Sequence, residues 1–184
     1  MADQANEGIF SPYLQKQRIA YALNEISGKV LDFGSGNGNL SNFIPPSKYI
    51  GYEVDTSSIN IAKENFKEHI FVTDLDEVDD TFNTVAMIAV IEHLHNPKKT
   101  LVEILNHSKA GKNLKFVITT PNKNFEFAHK IGAKVGLFSK HAEHEHHILF
   151  TKKSLKVLAL DLNLNFIMYK RFLFGANQIC VLQS

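Results

Sequence analysis

Val30-Leu-Asp-Phe-Gly-Ser-Gly-Asn-Gly-Asn-Leu40 is a short apolar run that ends in three alternate glycines. The run reads as a buried strand, and the glycines supply the positive φ and close backbone approach of a tight turn. A second run, Tyr49-Ile-Gly-Tyr-Glu53, ends in a carboxylate twenty-one positions past Asp32. Strand, glycine turn, short helix and a second strand with a terminal acid make half of a nucleoside site, because such an acid accepts hydrogen bonds from both ribose hydroxyls. Asp55 is the second candidate for that acid. The glycine spacing departs from the G-x-G-x-x-G of dinucleotide sites, and no Walker A lysine follows it.

Outward from this core the chain alternates helix and strand. Ser11-Pro12 caps a helix over about 12–26 carrying Leu14, Ile19, Leu23 and Ile26. Strands are expected over about 29–33, 49–54, 69–73, 82–89 and 114–119. Thr56-Ser57-Ser58 caps a helix after the second strand, and Asn96-Pro97 starts one after the fourth. A further helix begins at Thr151, and strands at 165–173 and 179–182 close the chain. The link between those two, Phe174-Gly-Ala-Asn177, is too short for a crossover, so they pair antiparallel. The expected fold is α/β: a Rossmann-like, doubly wound, mostly parallel seven-stranded sheet ending in an antiparallel hairpin. One domain over 1–184 is expected, with a lid-like insertion at about 123–150 that is rich in Phe, Gly and His.

Composition narrows the partners. The 184 residues are 44% hydrophobic and 21% charged, as in ordinary globular chains. A net charge of +1 with scattered basic residues offers no stripe for phosphate neutralisation, which weighs against a nucleic-acid acceptor. The single cysteine, Cys180, lies in an apolar run and reads as a buried thiol. The polar first residues do not read as a signal peptide, and no apolar run reaches transmembrane length, so a cytoplasmic location is expected. Oligomeric state is not readable.

With these segments in order, the chain resembles a Rossmann-like (class I) S-adenosylmethionine (AdoMet)-dependent methyltransferase over about 30–122. The resemblance puts Asp32, Gly34, Gly36 and Gly38 in the loop under the methionine part of AdoMet, and Glu53 on the ribose. Asp74 is matched to the acid that bonds the adenine amino group, Leu75 supplies backbone and an apolar face beside it, and Ala89 joins the donor-binding set. Ala89-Val-Ile-Glu-His-Leu-His-Asn-Pro97 resembles the segment after strand four in ubiquinone-pathway O-methyltransferases and small-RNA 2′-O-methyltransferases. Their motif is an acid, two apolar residues and Glu-His. Here Ala89 replaces the first acid, which weakens the metal site of that subset, although Glu92, His93 and His147 remain. No metal is expected. Lys109-Ala-Gly-Lys112 and Thr119-Thr-Pro-Asn122 resemble the turn before strand five and that strand's end, whereas Asn83 stands where Phe-Asp is usual. Gly136 to Lys140, His144 to His147 and Phe174 to Gln178 are similar to methyltransferases found with bacterial surface-glycan enzymes.

The resemblance implies AdoMet as donor, S-adenosyl-L-homocysteine (SAH) as product, and a small-molecule or glycan hydroxyl or amine as acceptor. Such an acceptor needs alignment and a base. His93, His147 and Glu92 are the candidate catalytic residues, Glu92 also being suited to favour the N-terminus of the next helix. His141, His144, His146 and His147, with Glu143 and Glu145, match no standard zinc spacing and fit a solvated lid. Phe125, Phe127 and Phe138 suit its underside, and Tyr13 and Arg18 lie on the first helix, within reach of ligand or simply packed. The alternatives are a non-catalytic AdoMet- or SAH-binding module that engages a protein partner, and a nicotinamide oxidoreductase with a different glycine spacing.

Overall fold

The computed structural model describes residues 11–78, 82–108, 113–123 and 148–184. Residues 124–147 of the lid, His147 among them, and Lys109 to Lys112 lie outside the described residues. Seven strands form one sheet: β1 (Val30–Phe33), β2 (Tyr49–Tyr52), β3 (Ile70–Val72), β4 (Thr84–Ile88), β5 (Lys115–Pro121), β6 (Asn165–Phe172) and β7 (Asn177–Gln183). Their order is β3-β2-β1-β4-β5-β7-β6. The first five run parallel, and β7 pairs antiparallel with both β5 and β6. The fold is therefore the expected Rossmann-like sheet, with its switch point beside β1.

Among the described residues four helices cover the two faces: α1 (Ser11–Leu23), α2 (Thr56–Asn65), α3 (Pro97–His107) and α4 (Lys152–Asp161). Val30 packs with Ile19 of α1 and with Ile59 and Ala62 of α2. Leu31 and Phe33 belong to the opposite cluster, with Leu101 and Ile104 of α3 and Leu155 and Ala159 of α4. This alternation is the period of two that a strand covered on both faces imposes. Farther along the sheet, Ala22 of α1 packs on Val117 of β5 and Ile179 and Val181 of β7.

Several local devices differ from the sequence expectation. The first helix stops at Leu23 rather than Ile26, where backbone bonds from Glu25 and Ile26 to Ala22 O close it. The segment after Gly38 is a 3-10 turn, Asn39–Phe43. Asp55, not the Thr-Ser-Ser run, caps α2: its Oδ2 accepts from Ser58 N at 2.9 Å and from Ser57 Oγ at 2.6 Å. Asp55 has the extended backbone of an N-cap, whereas Thr56, Ser57 and Ser58 have already turned into the helix. Asn83 lacks the usual charge but keeps its bond, since its Oδ1 accepts from Lys29 N at 2.9 Å. Asn96 caps α3, and Thr151 and Ser154 form a capping box on α4. Cys180 is buried and free, and burial pushes its thiol up to about 12. Among the described residues no helix is long and apolar enough to cross a membrane.

Candidate functional site

The C-terminal ends of β1, β2 and β4 gather most of the residues singled out in the sequence, at the edge where doubly wound sheets bind ligands. The glycine turn leaves β1 with φ of 78° at Gly34, 52° at Gly36 and 80° at Gly38. All three lie in the left-handed region, which a side chain occupies at a cost of roughly 1–2 kcal/mol. Their surroundings differ. A Cβ on Gly34 would stand 2.6 Å from Val90 Cγ2, and one on Gly38 would stand 2.9 Å from the Phe71 ring. A Cβ on Gly36 would meet nothing within 4 Å. Gly34 and Gly38 thus make room for protein, whereas Gly36 borders open space of the kind a ligand cradle needs.

Gly36→Ala is accordingly the cleaner probe of that space. It should leave the protein folded, with its melting midpoint lowered by a few degrees, and reduce AdoMet affinity at least about tenfold in titration calorimetry. Gly34→Val should lose stability as well, because it collides with Val90. A Gly36→Ala protein that binds AdoMet normally would show that the open space is not the donor's.

Glu53 immediately follows β2 and is only 7% exposed. Its Oε1 accepts from Val54 N at 2.8 Å and Asp55 N at 2.9 Å, and its Oε2 accepts from Gly36 N at 2.9 Å. The carboxylate therefore ties the end of β2 to the middle of the glycine turn. With about four acceptor positions on an ionised carboxylate, roughly one remains free, on Oε2. Two ribose hydroxyls fit it if the Gly36 bond is exchanged for one of them. Asp55, spent on its cap, is held well below the usual carboxylate range by the Ser57 and Ser58 bonds. Asp74 is exposed at the end of β3 and caps a short turn through Asp76 N at 3.0 Å, and Leu75 packs on the core beside it.

Asp32 sits inside the sheet rather than at its edge. It is 3% exposed, pairs across to Gly51 and Ala86, and accepts from the Tyr49 hydroxyl at 2.7 Å. Burial raises its pKa to about 7, with the Tyr49 bond opposing and the charge of Glu53 adding to the shift. The unfolded carboxylate titrates near 4, so between about pH 4 and 7 the folded chain holds a proton that the unfolded chain has lost. Stability should therefore fall as pH rises through that window and level off above it. Asp32→Asn keeps an acceptor for Tyr49 and removes the buried charge. It should flatten the profile and raise stability at pH 8 by up to roughly 4 kcal/mol in denaturant titrations. An unchanged pH profile in the variant would contradict the buried-charge reading.

β4 ends in strain. Ala89 has φ of 57° and donates its N–H to Thr119 O on β5 at 2.9 Å. A non-glycine residue held there costs about 1–3 kcal/mol, and such residues cluster at working sites. The chain then makes a 3-10 turn, Ile91–His93. Glu92 lies inside that turn, 3% exposed, and does not cap α3 as its sequence position suggested. Its Oε2 is buried with no hydrogen-bond partner among the described residues. His93 is half-buried next to it. Glu92 O accepts from Ile148 N at 3.0 Å, and Lys123 N donates to Phe150 O at 3.2 Å, so the two described ends of the inserted segment bond to each other and the second also bonds to the Glu92 turn. Among the described residues no group of three or more His, Cys, Asp or Glu could hold a metal ion.

One residue near Glu92 is Arg18, which the sequence left as either a ligand contact or a packed side chain. Arg18 of α1 donates from Nε to Asn177 Oδ1 at the start of β7, 2.8 Å away. Burial lowers its pKa, and Glu92 pushes it back up, which sets the two side chains within electrostatic reach. Thr119 Oγ1 and Asn177 Nδ2 are also buried without partners among the described residues. No local signal links residues this far apart; the only hint was that Thr119 and Asn177 fall inside motifs carrying the resemblance.

Comparison with known proteins agrees with this geometry. The family model described as "Methyltransferase domain" matches residues 7–168. The chain belongs to this methyltransferase family. Among solved structures it is similar to magnesium protoporphyrin IX methyltransferase from Synechocystis PCC 6803 with bound SAH, at 14% identity and TM-score 0.67, covering 95% of this chain and 85% of that one. The possible histamine N-methyltransferase from Thermotoga maritima gives 15% identity and TM-score 0.70, covering 94% and 89%. The methyltransferase domain of a bacterial Hen1 gives 20% and 0.68, covering 93% and 100%. At these identities the structures share the fold. No curated protein matches the chain.

Proposed function

We propose that this methyltransferase moves a methyl group from AdoMet to a hydroxyl of a small molecule or glycan, with Glu92 taking up the acceptor's proton. The observation that carries the reading is the buried, unpartnered Oε2 of Glu92 beside the strained end of β4. A buried carboxylate oxygen without a donor is costly, and a substrate O–H relieves that cost. The open side of the glycine turn, Glu53, Asp74, Leu75 and Ala89 are the donor-binding set in this reading. Asp32 holds the strand beneath it through Tyr49.

Bound AdoMet supplies a methyl carbon on a sulfonium whose sulfur leaves as a neutral thioether. The chain's own task is then alignment and proton removal, the first of which can contribute several kcal/mol. Glu92 and His93, on one tight turn, hold and deprotonate the acceptor, with His147 the third candidate for that work. An amine acceptor would use the same turn.

The test is transfer of tritium from methyl-labelled AdoMet into fractionated cell extract, with mass analysis of the labelled product. Label in a neutral or glycan hydroxyl, resistant to mild base, supports the reading. Label confined to RNA or protein overturns the acceptor class, and AdoMet binding with no transfer to any fraction favours a non-catalytic binding module.

A further inference from the structure

The mechanism above uses Glu92 but leaves its electrostatic partner, Arg18, unexplained. Period-two alternation puts Thr119 on the same sheet face as Val117, and Asn177 on the same face as Ile179. Val117 and Ile179 pack under Ala22 of α1, the helix that carries Arg18. The register sets Thr119 against Ile179 and Pro121 against Asn177, so the two polar residues are near neighbours on that face. Arg18 reaches this patch through its bond to Asn177. The turn carrying Glu92 follows directly on Ala89, whose N–H donates to Thr119 O, and the Glu92 charge raises the Arg18 pKa against the effect of burial.

Four polar groups therefore lie along this edge of the sheet with unused capacity. Among the described residues Glu92 Oε2 lacks a donor, Asn177 Nδ2 lacks an acceptor, and Thr119 Oγ1 lacks either. The amide of Asn177 is fixed by Arg18, so its free Nδ2 has a defined direction. Arg18 spends Nε on Asn177, and no other hydrogen bond to its guanidinium is recorded among the described residues. Glu92, Thr119 and Asn177 are essentially closed to solvent, whereas Arg18 is half-buried and forms the reachable edge of the cluster.

We infer that this cluster is the acceptor subsite, and that it selects an uncharged acceptor carrying neighbouring hydroxyl groups. The inference rests on the hydroxyl reading above and sharpens it. Arg18 and Glu92 cancel in charge, so an added carboxylate or phosphate would meet Glu92 at close range with only one cation to offset both. A hydroxyl both donates and accepts. One hydroxyl can donate to Glu92 Oε2 while accepting from an Arg18 terminal nitrogen, and its neighbour can accept from Asn177 Nδ2 and exchange a bond with Thr119 Oγ1. A lone carboxylate would leave Glu92 unsatisfied, and a lone ammonium would leave Asn177 unsatisfied. Arg18 is thus an acceptor-binding residue, and its guanidinium is the cation next to Glu92.

The test uses the full chain saturated with SAH, with methyl glucoside, methyl glucuronide and methyl glucosaminide as probes followed by NMR titration. Methyl glucoside should bind at least about tenfold more tightly than methyl glucuronide. Arg18→Met should weaken methyl glucoside at least about tenfold and change AdoMet affinity less than about threefold. Arg18→Lys, which keeps the charge and loses the fixed Nε bond, should fall between, and its melting curve controls for folding. Preference for the glucuronide, or no binding of any sugar, overturns the inference. So does loss of AdoMet binding in Arg18→Met while 5′-methylthioadenosine binding is kept, since that would place Arg18 on the donor's carboxylate. Sugar binding as described here, with label absent from every hydroxyl product in the tritium experiment, would instead remove the catalytic reading and leave the subsite.

Discussion

Glu92→Gln is expected to lower kcat at least about a hundredfold while leaving AdoMet affinity within about threefold of wild type. Glutamine fills the same volume at the end of β4 but cannot take a proton. It also leaves Arg18 without its facing charge, so part of any loss in stability comes from that pair. Turnover read together with a melting curve and a donor titration separates the two effects. A folded Glu92→Gln protein with normal kcat would end the proposal that Glu92 is the base and move the role to His93. An equal fall in donor affinity and turnover would place Glu92 in the AdoMet site instead.

The second large effect is on the donor. Glu53→Ala should weaken AdoMet and SAH at least about tenfold, because charge-assisted hydrogen bonds contribute about 1.5–3 kcal/mol each and at least one to a ribose hydroxyl is lost. The structure adds a second source of loss. Glu53 also holds Gly36 N, Val54 N and Asp55 N. Removing the carboxylate unhooks the glycine turn from the end of β2, so the variant should bind with a larger ordering cost as well. Unchanged affinity in calorimetry would take Glu53 out of the donor site. Asp55 would not inherit the role, since its carboxylate is committed to capping α2.

What was legible in the sequence follows from the range of the interactions involved. The glycine turn was legible because positive φ at three alternate positions leaves few residues to choose from. The parallel sheet was expected from alternating helix and strand signals, and the closing hairpin from one spacing too short for a crossover. Glu53 was legible as a strand-end acid, but its three backbone partners were not, because they depend on how the turn folds back over β2. The α2 cap was misassigned by one residue for the same reason.

The strain at Ala89 (φ 57°), Leu173 (51°) and Phe174 (54°) was invisible, since nothing in a non-glycine residue advertises left-handed backbone. All three lie at the ligand-binding edge, Phe174 fully exposed in the turn that leads into β7. The Arg18–Asn177 bond joins residues 159 positions apart, and no periodicity reports such a contact. The catalytic pair was read as His93 first, because imidazole titrates near neutral pH. The proposed reading puts the weight on Glu92, one of whose oxygens is buried without a partner among the described residues.

The central claim is that donor and acceptor meet between the glycine turn and the Glu92 turn. A crystal structure of the SAH complex tests it most directly. The ribose should lie on Glu53, the homocysteine sulfur should lie over the glycine turn, and Glu92 should stand within about 8 Å of that sulfur, leaving space for one acceptor oxygen in line. SAH bound away from Glu53, or a sulfur with no open path to Glu92, would contradict the account.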